Sequence, residues 1–338
     1  MSTPDLALSH ADVVAARGRI AGIAVTTPLV PAAGLGAPSA GNATSAGGVW
    51  LKLENVQPTG SFKVRGAASR IRSLDADALE RGVVTASTGN HGRAVAHVAA
   101  TMQVPATICV SVHVPPGKIA ALRALGCEVI VGGDSQSAAL ETADELVAES
   151  GLTLIHPFDD VQVIAGQGTI GLELLEQLPT TSTVVVPLSG GGLLAGIAVA
   201  VKAVRPGVRV VGVAMERAAA MVASLAADHP VEVPEQSTLA DSLQGGIGLT
   251  NATTFPVVRA LMDDAVLLTE QQIWDGMRFA FDRHRLILEG GAAVGIAALL
   301  TGRLDVATTE QVVIICSGAN AEPAHIGALA TGRTTPPD

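Results

Sequence analysis

Two series of short β-branched runs, each run separated from the next by a helical segment, constrain this chain more than any other feature. The first series occupies residues 82–85, 106–110, 128–131 and 152–156; the second occupies 183–188, 208–214, 265–269 and 311–317. Strands that alternate with helices pair in parallel and carry the helices on the faces of the sheet, so an α/β fold with parallel sheets is predicted. The chain passes from one series to the other at about residues 158–168. A smaller lobe inserted at residues 66–157 and a larger lobe made of 1–65 plus 158–338 are therefore expected, with a cleft between them.

Apolar residues make up 48% of the 338 and charged residues only 15%, which provides for a large core and excludes a disordered chain. A net charge of −10 without a Lys/Arg cluster argues against nucleic acid as a partner. Cys109, Cys127 and Cys316 form no CxxC pair, so neither a disulfide framework nor a zinc site is expected, in keeping with a reducing, cytoplasmic setting. Asp5, His10 and Asp12 precede any apolar run, unlike a secretory signal. Residues 183–201 are nineteen uncharged residues, long enough to test as a membrane span. Pro187 and the block Ser189-Gly190-Gly191-Gly192 at their centre instead predict strand, loop and helix, and no membrane partner. Ser9 and Asp12 have capping-box spacing and open a helix to about Arg19. Residues 26–29 are expected to be extended, and 34–48, rich in Gly, Ala and Ser, to form a mobile loop.

Four stretches carry chemistry, and each follows a predicted strand. After residues 49–54 comes a turn on Pro58 and Gly60 and then a helix, with Ser61 as the expected N-cap and Lys63 in the first turn. Ligands of open α/β sheets bind beyond the carboxyl ends of strands, where Lys63 lies. Strand 82–85 leads into Ser87-Thr88-Gly89-Asn90-His91-Gly92 and a helix from about Arg93, a loop whose unpaired N–H groups suit a carboxylate. Strand 183–188 leads into Ser189-Gly190-Gly191-Gly192-Leu193, a glycine nest suited to a phosphate. Gly190, Gly192 and Ala195 also fit the dinucleotide fingerprint, with Glu216 near the end of the next strand as the ribose-binding acid, so a nicotinamide oxidoreductase competes on this stretch. Strand 311–317 ends in Ser317-Gly318-Ala319-Asn320, where Ser317 offers a short neutral hydroxyl or caps a helix.

An amine, a phosphate nest, a carboxylate loop and a neutral hydroxyl match what pyridoxal phosphate carrying an amino acid requires. The series Gly-Ser-Phe-Lys63-x-Arg-Gly, Ser-x-Gly-Asn90-His-Gly, Gly-Gly-Gly-Leu193, Glu289-Gly-Gly-Ala and Ser317-Gly-x-Asn resembles the fold-type-II pyridoxal-phosphate enzymes. The likeness covers about residues 10–330 and is nearest the threonine/serine dehydratase and serine racemase branch. Residues 165–173 and 215–248 are similar to the hydroxyectoine-utilisation dehydratases within it. The resemblance implies a two-lobed fold like that of tryptophan synthase β, pyridoxal 5'-phosphate as cofactor, a small amino-acid substrate and a homodimer.

It also implies roles for individual residues. Lys63 would carry the cofactor covalently and, once freed, act as base at the substrate Cα; Phe62 and Glu289 would lie near the ring. Asn90 would bind the pyridine 3-oxygen, Ser317 the pyridine nitrogen, and the N–H groups of Gly190, Gly191, Gly192 and Leu193 the phosphate. Ser87, Thr88, Gly89 and His91 would form the substrate-carboxylate loop. Thr88 stands where racemases carry a catalytic serine, which makes an amino-acid racemase the alternative to an ammonia-lyase. Ala214 replaces a glutamate that helps hold a divalent cation in some relatives; Glu216 and Asp241 are the acids nearby in sequence, and no metal ligand is assigned. His113, His156 and His284 are read as structural. Too few residues follow Thr331 for a regulatory domain, so no feedback inhibition by isoleucine is expected.

Overall fold

The structure is a computed structural model and describes residues 6–35 and 47–337, so most of the glycine-rich stretch at 34–48 lies outside the described residues. The first helix, His10–Ile20, has the full capping box: Ser9 receives the Asp12 N–H, and the Asp12 carboxylate receives the Ser9 N–H. Among the described residues ten strands follow in two sheets, numbered in chain order. They are β1 (Leu29–Pro31), β2 (Gly48–Lys52), β3 (Val83–Ala86), β4 (Ala106–Val110), β5 (Glu128–Val131), β6 (Thr153–Leu154), β7 (Thr183–Pro187), β8 (Arg209–Met215), β9 (Asp264–Leu268) and β10 (Gln311–Ile315).

The larger sheet has the order β1-β2-β10-β7-β8-β9, and the smaller the order β5-β4-β3-β6. Every pairing is parallel except the edge pair β1–β2. Parallel strands need cover on both faces, which is why β7 and β10 read as nearly continuous β-branched apolar runs, all but one residue buried. The helices Gly192–Val204 and Gly290–Leu300 supply much of that cover. In the smaller sheet alternate residues serve different cores. Val83 joins the apolar cluster under the helices Lys63–Ile71 and Asn90–Met102, while Val84 joins Cys109, Ala139 and Ala143 on the other side. The first of these clusters also draws in Ile20, Ile23 and Val64, from outside the stretch that holds the strands.

Among the described residues no helix is long and apolar enough to cross a membrane. The nineteen-residue uncharged stretch is β7, a tight glycine turn and the helix Gly192–Val204.

One topological fact prepares the site. In the larger sheet β2, β10 and β7 are adjacent and parallel, so the segments leaving their carboxyl ends emerge side by side. In the smaller sheet β3 and β6 are likewise adjacent and parallel. Contacts between the loops, Lys63 to the Pro157 carbonyl and Asn90 to Glu289 among them, join the two sets of strand ends at one cleft.

Candidate active site

The loop from β2 reaches Lys63 through a backbone bridge that local sequence rules do not foresee. Ser61 pairs with Gly318, and the Phe62 N–H donates to the Ser317 carbonyl at 3.0 Å. Ser61 is therefore not the N-cap of the helix Lys63–Ile71. Phe62 holds that position without a side-chain cap, and the buried Ser61 hydroxyl finds no partner. The reason is tertiary: the end of β10 captures the Ser61 backbone before the helix starts. The same bridge brings Ser317 beside the Lys63 turn. Ser317 caps no helix either, since the next begins at Pro323.

Lys63 is partly buried. Its Nζ donates to the Pro157 carbonyl at 2.7 Å and lies 5.3 Å from the centre of the Phe62 ring. Burial pulls the amine down to a pKa of about 8, against the opposing pull of the Glu289 carboxylate. A larger fraction is therefore neutral near pH 7 than for an ordinary lysine.

Glu289 is buried at the start of the helix Gly290–Leu300, and burial raises its pKa. Its Oε1 accepts from Asn90 Nδ2 at 2.7 Å, and its Oε2 accepts from the Asn320 N–H at 3.2 Å. The helix carrying Asn90 starts at Asn90 itself, three residues before the expected Arg93, with Gly89 as an N-cap that has no side chain to offer. Among the described residues the N–H groups of Asn90, His91 and Gly92 find no backbone acceptor, leaving a donor cluster at the helix start. Ser87 and Thr88 lie half-exposed in the loop before it. The His91 ring is buried and bonded through Nε2 to the Ile155 carbonyl at 2.8 Å, and burial, helped by the nearby Lys63 charge, holds it neutral with a pKa of about 3. His91 thus ties this loop to the end of β6.

The glycine loop after β7 is built the same way. Gly191 has φ +88, a conformation that costs an L side chain, and N-caps the helix Gly192–Val204. Among the described residues no backbone acceptor meets the N–H groups of Gly190 to Leu194. Phe158, from the segment after β6, packs so closely that a Cβ on Gly190 would lie 2.5 Å from its ring. Pro157, which receives the Lys63 amine, is the residue before it, and so the glycine loop and Lys63 share one wall.

His156 shapes that wall, with Nδ1 accepting from the Asp159 N–H at 2.7 Å and from the Phe158 N–H at 3.3 Å. Burial lowers the pKa of His156 and keeps this nitrogen free to accept. Asp159 in turn accepts from the N–H groups of Thr253 and Thr254 and fixes the helix Thr254–Leu261. Pro157 and Phe158 carry no local signature; only their place just after a strand end hinted at the cleft. Ala214 is buried and Glu216 exposed, and among the described residues no cluster of three or more His, Cys, Asp or Glu is placed to hold a metal ion.

These groups fit pyridoxal phosphate. The unmatched N–H groups at the glycine loop suit its phosphate, Asn90 and the Ser317 hydroxyl can meet its ring, and the Lys63 amine is of the kind that condenses with its aldehyde. Comparison with known proteins agrees. The family model "Pyridoxal-phosphate dependent enzyme" matches residues 20–318. A protein of Sinorhizobium fredii, provisionally named threonine dehydratase, is 52% identical over 80% of this chain and 82% of its own length. The L-threonine ammonia-lyase of Thermotoga maritima is 42% identical over 81% of this chain and 67% of its own. Maize serine racemase superposes with a TM-score of 0.86 at 32% identity, covering 96% of this chain and 98% of its own. The oxidoreductase suggested by Gly190, Gly192 and Ala195 is set aside. This chain belongs to the pyridoxal-phosphate dependent enzymes and has their type II fold.

Proposed function

We propose that the chain is an ammonia-lyase that removes water from a β-hydroxy-α-amino acid to give a 2-oxo acid and ammonia. The observation that carries this reading is the delivery of Lys63, Asn90, the glycine-loop N–H groups and the neutral Ser317 to one cleft by strand ends of the two sheets. In this reading Gly190, Gly191, Gly192 and Leu193 hold the phosphate, Asn90 the 3-oxygen and Ser317 the ring nitrogen, with Phe62 and Glu289 beside the ring. Ser87, Thr88, Gly89 and His91 receive the substrate carboxylate, chiefly through N–H groups.

The bound cofactor supplies an electron sink for the pair left at Cα. The neutral Lys63 Nζ takes the Cα proton, and its lowered pKa keeps it competent near neutral pH. Ser317 is a hydroxyl rather than a carboxylate, so it does not favour a positive ring nitrogen. Negative charge at Cα is then better relieved by expelling the β-hydroxyl, which leaves as water on taking a proton. The enamine that departs tautomerises and hydrolyses to the oxo acid and ammonia.

The names of the relatives favour threonine or serine as substrate, and the likeness at residues 165–173 and 215–248 adds a hydroxylated diamino acid from hydroxyectoine breakdown. We further infer a cytoplasmic homodimer, and two lobes, 66–157 and the remainder, on the ground that the smaller sheet draws all its strands from the inserted stretch. The deciding experiment incubates the purified holoenzyme with these amino acids and follows ammonia and 2-oxo acid. Release from one of them, abolished in Lys63→Ala, is the expected result. Inversion of chirality without ammonia would replace the lyase by the racemase that Thr88 left open.

A further inference from the structure

Asn320 closes the motif Ser317-Gly318-Ala319-Asn320, and the reaction as described gives it no task. Its surroundings do. Asn320 Oδ1 accepts from Arg93 Nη1 at 2.9 Å, and its Nδ2 donates both to the Thr59 carbonyl at 3.1 Å and to Asn90 Oδ1 at 2.5 Å. A guanidinium can only donate and a carbonyl can only accept, so these two partners leave the Asn320 amide one orientation. Its NH₂ group must face Asn90. The Asn90 carbonyl is thereby occupied, and the Asn90 NH₂ is turned the other way, toward Glu289 Oε1 at 2.7 Å. The Asn320 N–H bonds to the second oxygen of the same carboxylate and closes the ring of three residues. Room for this clasp comes from Gly60, where a Cβ would lie 2.9 Å from Asn320 Oδ1.

We infer that Asn320 is a positioning residue that fixes the polarity of the Asn90 amide, so that Asn90 presents N–H rather than carbonyl to the 3-oxygen of the cofactor. Glu289 holds the Asn90 NH₂ on one side and Asn320 holds its carbonyl on the other, and without the second hold the amide flips more readily, to a carbonyl that an ionised ring oxygen would repel. Polarity therefore runs in one direction, from the Arg93 cation through Asn320 and Asn90 to Glu289. This inference rests on the assignment of Asn90 to the ring oxygen.

The test compares Asn320→Asp with Asn320→Ala. Asp keeps the size and the Arg93 contact but has no side-chain N–H, so the Asn90 carbonyl is left against a carboxylate, which pulls the Asn90 NH₂ toward residue 320 in competition with Glu289 and its carbonyl toward the cleft. Ala only removes the lock. Pyridoxal phosphate is titrated into each apo-protein, and the visible spectrum of the bound cofactor is recorded. Affinity should fall about tenfold in Asn320→Ala and about a hundredfold in Asn320→Asp. In both, intensity should move from the long-wavelength band of the ionised 3-oxygen to the short-wavelength band of the protonated one, and further in the Asp variant. A residue that merely held the fold would rank the variants the other way, with the isosteric Asp the milder. An Asp variant no worse than Ala, or unchanged band ratios, overturns the inference. Should Asn320→Asp fail to fold, Asn320→Ala decides by the same ratio, since it removes the donor to Asn90 Oδ1: a shift supports the inference and an unchanged ratio overturns it. Failure of the wild type to bind pyridoxal phosphate would instead refute the site reading beneath it.

Discussion

The helix that begins at Lys63 has two chemically opposite faces. Lys63 looks into the cleft, whereas Arg65, two residues on, looks into the core and is wholly buried. Arg65 grips both oxygens of Glu54, at 2.7 and 2.8 Å, and both of Glu173, at 2.6 and 2.9 Å. Lys52 completes the cluster, bonded to Glu173 at 2.6 Å, to the Thr27 carbonyl and to Gln177. Every charge there has its counter-charge. Burial alone would raise the pKa of Glu54, yet the Arg65 guanidinium and the Thr27 hydroxyl hold it below the usual carboxylate range. On the cleft face, among the described residues, the helix-start N–H groups after Gly89 and in the glycine loop meet no backbone acceptor, and the Lys63 amine has its charge suppressed. Matched polar groups hold a fold together, and unmatched ones await a ligand.

Substitution on each face should separate these properties. Lys63→Ala should cut turnover by on the order of 10³-fold or more. The melting temperature of its apo-protein should stay within a few degrees of wild type, because the Nζ gives up one hydrogen bond to Pro157. Arg65→Met should do the reverse. It leaves the buried Glu54 carboxylate without its bonded counter-charge and Glu173 with Lys52 alone, which costs about 3–5 kcal/mol in denaturant unfolding, and any activity that survives should be that of the remaining folded fraction. The same cluster sets an acid limit. Since the Glu54 pKa is lowered in the folded state, its stabilisation is present above its ordinary value and is lost as pH falls through the depressed one. A Lys63→Ala protein that unfolds, or an Arg65→Met protein as stable as wild type, would dissolve the contrast.

The two faces also differ in how far the sequence announced them. The cleft was legible because its parts are local: a strand, a short glycine or polar loop and a helix start lie within a dozen residues, and four such units appear in order. The β4 and β5 runs coincide with their predicted spans, and β8 and β9 lie one residue from theirs. The buried cluster was invisible. Its contacts join positions 108 and 121 residues apart, and nothing near Lys52 or Glu173 marks either as buried rather than solvated. Ser61 fails for the same reason, since it is Gly318, far along the chain, that decides its backbone. Asn320 was visible as a motif letter, but its amide orientation exists only in three dimensions.

A smaller perturbation tests whether unmatched N–H groups bind the cofactor. Gly191→Ala keeps every donor but must hold a side chain at φ +88, with its Cβ 2.8 Å from Met221 Cε. Left-handed backbone costs an L residue about 1–2 kcal/mol. The nest should therefore relax, and affinity for pyridoxal phosphate should fall by about tenfold with little change in the unfolding of the apo-protein. Unchanged affinity would place the phosphate elsewhere.

The finest distinction concerns Lys63 itself, where burial and a carboxylate act in opposite directions. Burial disfavours the ammonium and dominates, while the Glu289 carboxylate favours it, and the pKa settles at about 8. Labelling of Lys63 in the apo-protein by an amine-selective acylating reagent, resolved by peptide mass, should therefore rise with a midpoint near pH 8, well below that of ordinary lysines. Glu289→Gln retains an acceptor for Asn90 Nδ2 and removes only the charge. The ammonium then loses its counter-charge, and the midpoint should move below 8. A midpoint that remained at 8 would mean that Glu289 is already protonated there, as its own burial-raised pKa favours. In that case the amine would be neutralised by burial alone, and the cleft face would carry no ionised carboxylate to set against the fully paired face behind it.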